Sequence, residues 1–236
     1  MNKVINNVRV TELDGLSDTI VRLYKDNPAA AKDAFVAATM ADVERLSAEI
    51  TTAILQDKAL STLEAADSER DKAIVALGKV LTGYSALPIP AKQAAAEPLL
   101  AVYEKYSKTG ITRASYISES SMTESLLEDL RTESLAGHVA ALEGVAEAIA
   151  AIRAAQDAFT AANDSYIAAS GSKGASASNL KKPLLAAINE KLVPYLTAMQ
   201  IANNADCEAF AAAVETEIAR LNVAVSKRSK KGEKAE

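Results

Sequence analysis

The sequence predicts an all-α protein: a bundle of seven or eight mostly antiparallel helices, several of them long, with no significant sheet. Three observations predict it. Glycine and proline are scarce, 9 and 6 among 236 residues, so the chain has few built-in breaks. Alanine is abundant, and it is both the best helix former and small enough to let helices approach closely. Apolar residues recur at three- and four-residue spacing through most of the chain. Hydrophobic residues make up 49%, enough to bury each stripe against its neighbours.

The elements follow in order. Residues 3–10, KVINNVRV, alternate weakly and suit an extended segment. Thr11 to Asp14 offer side-chain oxygens to free N–H groups, so a short helix is expected over about 16–25. Asn27-Pro28 is a helix-start signal. A long helix from about 28 to 57 carries Val36, Met40, Val43, Ile50 and Ile54 on one face. A second covers about 59–83, either separate from the first or continuous with it, and Gly83, Pro88 and Pro90 close it. Helices over about 90–107 and 119–134 follow, joined by a hydroxyl-rich connection. The stripe Leu135, Val139, Leu142, Ile149, Ile152, Phe159 and Tyr166 predicts one helix over 135–169. Ser170 to Ser178, SGSKGASAS, is the best flexible loop in the chain. Helices over 180–203 and 205–227 close the fold. A single domain over 1–226 is expected, with a sub-division near residue 110 as an alternative and a disordered basic tail over 227–236.

Charge and composition limit the function classes. The net charge of −5 makes the chain a poor general binder of nucleic acid or anionic membrane. The tail 227–236, with five basic and two acidic residues, is a local exception that could tether weakly. The seven tyrosines are dispersed and offer no stacking platform. The N-terminus lacks an apolar signal segment and no apolar run reaches the ~18 residues of a membrane span. A cytoplasmic protein is therefore the expectation. One cysteine, Cys207, precludes an intramolecular disulfide.

The usual catalytic and metal-binding constellations are missing. The only histidine, His138, has no Glu at the spacing of a di-iron motif, and zinc needs more Cys or His ligands. There is no calcium loop and no nucleophile elbow. GSKGAS lacks phosphate-loop spacing. We expect no cofactor, no metal and no enzyme activity. A carboxylate-only site for a hard cation is the one metal option this leaves open.

The strongest signal is LEAADSERDKAI, residues 63–74. Leu60, Leu63, Asp67, Arg70, Ile74, Leu77 and Leu81 follow helical spacing, so Asp67 and Arg70 sit on the apolar stripe. The two are i,i+3 neighbours and can pair. Asp71, four residues after Asp67, repels it unless a cation intervenes. The first reading is an ion-pair network at a helix–helix contact. The alternative is a polar pocket in which Arg70 holds an anion or carboxylate ligand beside Asp67 and Asp71. Gln156, Asn163 and Asn222 also interrupt apolar stripes, and buried amides of this kind specify pairing and register.

These segments carry a resemblance. AADSERDKAIVALGKVL (65–81), followed by AKQAAAEPLLAVYEKYSKTGITRASYISESSMTESLLEDL (91–130), resembles an uncharacterised all-helical family of unknown function found mostly in Bacteroidetes. The shared pattern is an acidic-x-x-Arg-Asp helix, then a Gly-x-x-x/Arg turn, then Tyr-x-x-Glu before a leucine-rich helix. Residues 135–166 and 207–228 resemble later segments of that family. There Gln156 stands where the family usually has Asn, three residues before an aromatic. The likeness implies a helical unit over about 60–227 and no established activity. The resulting expectation is a non-enzymatic protein-interaction or structural module, with a protein partner or self-association.

Overall fold

The structure, a computed structural model, describes residues 1–171 and 174–232. The centre of the expected loop at 170–178, residues 172–173, and the end of the basic tail, 233–236, lie outside the described residues. The described residues are almost wholly helical and contain no strand. Within the span expected as one domain the chain forms two compact units. One holds Met1–Asp57 with Ser172–Glu236, and the other Lys58–Gly171. Residue 110 lies inside the second.

In the first unit, α1 (Val10–Asp26) starts earlier than expected because the Glu12 carboxylate accepts from Arg9 N at 2.7 Å. Asn27-Pro28 opens only a 3-10 turn at Ala30–Lys32. The start of α2 (Ala34–Ala86) is instead capped by Asp33, whose Oδ1 accepts from Phe35 N and Val36 N at 2.9 Å each. From there α2 continues unbroken for 53 residues, since nothing near residue 58 stops it. Of the two alternatives for 28–83, the continuous one holds. Its first part packs antiparallel to α1, as Lys25–Glu44 and Asp14–Thr51 contacts show. Helices α7 (Ala177–Ala186), α8 (Val193–Ile201) and α9 (Ala205–Gly232) complete the unit. Its core is built from Leu13, Ile20, Met40, Val43, Ile50, Ile188, Leu196, Phe210, Val214 and Ile218.

Two expectations for this unit need correction. The helix expected over 180–203 is interrupted by a π-helical stretch at Ala187–Leu192. Pro194 supplies the cause: it has no N–H for the Glu190 carbonyl and its ring crowds that carbonyl, so the turn widens. Counting 177–201 as one interrupted rod gives eight helical elements among the described residues, several of them long. The basic tail also begins later than expected, because 227–232 continue α9.

In the second unit the rest of α2 packs with α3 (Pro90–Ser107), α4 (Tyr116–Leu130), α5 (Glu133–Ala140) and α6 (Val145–Ala169). Pro90 stands in the first turn of α3, where its missing N–H costs nothing. Ser115 caps α4 and sets its start three residues before the expected one. The single helix expected over 135–169 breaks at residues 141–144. Gly144 adopts φ 81°, a left-handed conformation open to glycine but not to a helix interior. The chain turns by 118° there. The core comprises Ile74, Leu77, Leu81, Leu99, Leu126, Leu127, Val145 and Ile152. Among the described residues no single helix is long and apolar enough to cross a membrane.

Helices α2 and α3 approach closely at Gly78, where a Cβ would stand 2.3 Å from Tyr103 Cζ. Alanine gains about 1 kcal/mol of helix propensity over glycine, but here it must displace a half-buried ring. Gly78→Ala is therefore expected to lower stability by about 1–2 kcal/mol net. Urea unfolding measures it, and Gly78→Ala with Tyr103→Leu should recover most of the loss.

Candidate functional site

The cluster of Asp67, Arg70 and Asp71 lies where three helices of the second unit meet. Helix α2 presents Asp67, Arg70 and Asp71; α4 presents Glu119, Ser120 and Thr123; α6 presents Gln156 and Phe159. Helices α4 and α6 run antiparallel, since Glu124 pairs with Arg153 while Tyr116 meets Phe159. That register brings Ser120 and Gln156 to one level, facing Arg70.

Arg70 is fully buried, the largest side chain in the protein to be so. Its Nη2 donates to Asp67 Oδ1 at 2.7 Å, and Nη1 donates to Ser120 Oγ at 2.9 Å and Gln156 Oε1 at 3.0 Å. Its Nε lies 3.0 Å from Glu119 Oε1, but poorly aligned, so this contact is an ion pair rather than a hydrogen bond. The guanidinium carbon stands 3.7 Å from the centre of the Phe159 ring, a cation–π contact in a dry setting. Tyr116 meets the same ring edge-on, with 5.3 Å between centroids. Every edge of the guanidinium and one face are thus held by the protein itself.

The carboxyl groups outnumber the cation three to one. Burial pushes Glu119 up to about 7; Arg70 opposes that rise, while the charges of Asp71 and Asp67 and a hydrogen bond to Asp71 reinforce it. Asp71 is raised as well, first by burial, and Glu119 acts as its hydrogen-bond partner. A proton held between Glu119 and Asp71 is the cheapest relief for buried carboxylates crowded in this way. Asp71 Oδ1 and Thr123 Oγ1 remain buried without partners.

Sequence reasoning grouped Asp67, Arg70 and Asp71 here and read Gln156 separately, as a core amide that specifies helix pairing. It missed Glu119, Ser120, Thr123 and Phe159 as members of the network. Glu119 stood in view as the last residue of the Tyr-x-x-Glu segment, and Phe159 follows Gln156 by three. Three of the four segments that carried the resemblance converge on one guanidinium. Leu60, assigned to the same stripe, is instead 39% exposed, because the face that α2 buries in the second unit begins only at Leu63. Asn163 is half-buried and stays out of the network, its place on the buried face being taken by Ala162. Asn222 does not pair helices. Its amide binds the backbone of Lys3 and Ile5 in the first unit. His138 is half-buried in the second unit and Cys207 fully buried in the first. Among the described residues no group of three or more His, Cys, Asp or Glu side chains is arranged to hold a metal ion.

A family of unknown function (DUF6261) matches residues 60–216, about two thirds of the chain. The chain belongs to that family. The DUF6261 match takes in the whole Arg70 network and also Asn189, but neither Asn222 nor residues 1–9. No curated protein and no solved structure matches the chain.

Proposed function

We propose that this DUF6261 chain is a non-enzymatic helical module that works by binding another protein chain, a second copy of itself included. One observation carries the reading: the guanidinium of Arg70 is already engaged by the protein's own side chains. The donors of Arg70 go to Asp67, Ser120 and Gln156, Phe159 covers its face, and Glu119 faces its Nε. An arginine spent in this way fixes helix register instead of receiving a ligand. An anion approaching it would also meet three carboxyl groups.

A small-ligand pocket around Asp67, Arg70 and Asp71 is the second reading. It is favoured only by the unpartnered Asp71 Oδ1 and Thr123 Oγ1. Thermal unfolding with phosphate, sulfate, citrate or acetate separates the two. Under the interaction reading, none of these anions raises the melting temperature saturably, and light scattering finds a mass that grows with protein concentration. Saturable stabilisation that disappears in Arg70→Lys would transfer the function to small-molecule binding.

A further inference from the structure

Residues 3–5 cross the first unit as a strap whose backbone is held by side chains, and a turn at Asn6-Asn7 follows it. Asn189 closes two bonds on Val4: its Nδ2 donates to Val4 O and its Oδ1 accepts from Val4 N, both at 2.8 Å. Asn222 does the same on the other edge. Its Oδ1 accepts from Ile5 N at 3.1 Å and its Nδ2 donates to Lys3 O at 2.8 Å. Successive residues of an extended chain turn their polar groups to opposite sides, so the two amides read the two edges of one strand. Each stands where a neighbouring strand would. Lys181 donates to Asn6 O at 3.2 Å and Arg228 to Asn7 O at 2.9 Å, while the side chains of Val4 and Val8 are buried.

The groove is built for this task. Asn189 is itself 93% buried, its exposure being 7%, and it sits in the π-helical stretch. A buried amide with no strand to bind would be left unsatisfied, a costly state. Clefts of about 390 and 400 Å³ flank the strap along Lys181–Asn189 and Ala219–Lys227, so its edges are not roofed over. All these bonds run to residues between 175 and 221 positions away in the chain. The turn closed by Val8 N donating to Ile5 O at 3.2 Å joins the strap to α1. Residues 3–5 of another molecule could therefore make the Asn189 and Asn222 bonds with only that turn opened, the low-cost route to a dimer.

We propose that the groove between residues 177–201 and α9 joins two copies of the chain, each accepting residues 3–5 of the other. The partner is a second copy because the only sequence the groove is known to fit is its own. This rests on the reading of the chain as a protein-binding module and names its surface.

The test uses the full chain. Light scattering should show a dimer fraction that rises with concentration. Deleting Asn6 and Asn7 removes the turn, prevents residues 3–5 from folding back, and should give a dimer at all concentrations. Asn189→Ala and Asn222→Ala, each verified as folded by circular dichroism, should both weaken dimerisation. A labelled peptide of residues 2–9 should bind the full chain saturably, about tenfold more weakly in either variant for the pair of bonds lost. A wild-type and a deletion chain that both stay monomeric overturn the proposal. Dimers untouched by both substitutions also overturn it, yet leave association by another surface standing. A scrambled peptide that binds equally well rejects the second copy as the chosen partner.

Discussion

Arg70→Ala is expected to destabilise the second unit by about 3–5 kcal/mol, the cost of stranding buried charges by removing their partner. The substitution leaves Asp67, Asp71 and Glu119 without their cation, and leaves Ser120 Oγ and Gln156 Oε1 without a donor. It also uncovers the ring of Phe159. Hydrogen-exchange protection of α4 and α6 amides reports the loss within that unit, because two compact units make a single global midpoint ambiguous. Arg70→Met separates the causes. It restores most of the volume against Phe159 but none of the charge, so it should recover only the packing part. Combining Arg70→Met with Glu119→Leu should recover more, since a well-packed apolar replacement of a buried ion pair is often neutral. A full recovery by Arg70→Met alone would show that the charge contributes nothing to stability.

The same residues show how far the sequence could be read. Helical class and the membership of Asp67, Arg70 and Gln156 followed from spacing, because each occupies a position where its stripe should be apolar. What spacing could not supply was the partner. Glu119 and Ser120 lie 49 and 50 positions from Arg70 and sit in a serine-rich run that reads as a polar connection. Their burial depends on the antiparallel register of α4 against α6, a tertiary fact. The unbroken α2 was left open for a related reason: its buried positions do not form one stripe from end to end, since Val36 to Ala53 face one core and Leu63 to Leu81 another. The break at Gly144 was missed because the apolar periodicity runs through it from Leu142 to Val145. Asn222 was read as a helix-pairing amide because nothing in a helical stripe announces that its neighbour will be an extended strap. The π-helical stretch that presents Asn189 was announced only by Pro194, whose effect falls on the turn before it.

Glu119 should make the second unit more stable at pH 5 than at pH 8. Burial raises its carboxyl from an ordinary 4.5 to about 7, so in the folded state it holds a proton that the unfolded chain releases. Stability from this group is then complete below pH 4.5, falls as pH rises, and is lost above pH 7. Two and a half pH units correspond to roughly 3 kcal/mol across that window. Asp71, also raised by burial, acts in the same sense over its own range. The opposing groups lie elsewhere in the unit. Glu124 is held low by Arg153, and Asp129 by Lys105 and Tyr106, so their contributions are lost as pH falls through the carboxylate range. Glu119→Gln keeps the shape and a donor toward Asp71 but cannot ionise. It should flatten the profile between pH 5 and 8 and leave the variant more stable than the native chain at pH 8. Hydrogen exchange of α4 and α6 amides, followed across that range in both chains, checks it. Parallel profiles would mean that Glu119 stays ionised against Arg70, and the shared proton would then have to be abandoned.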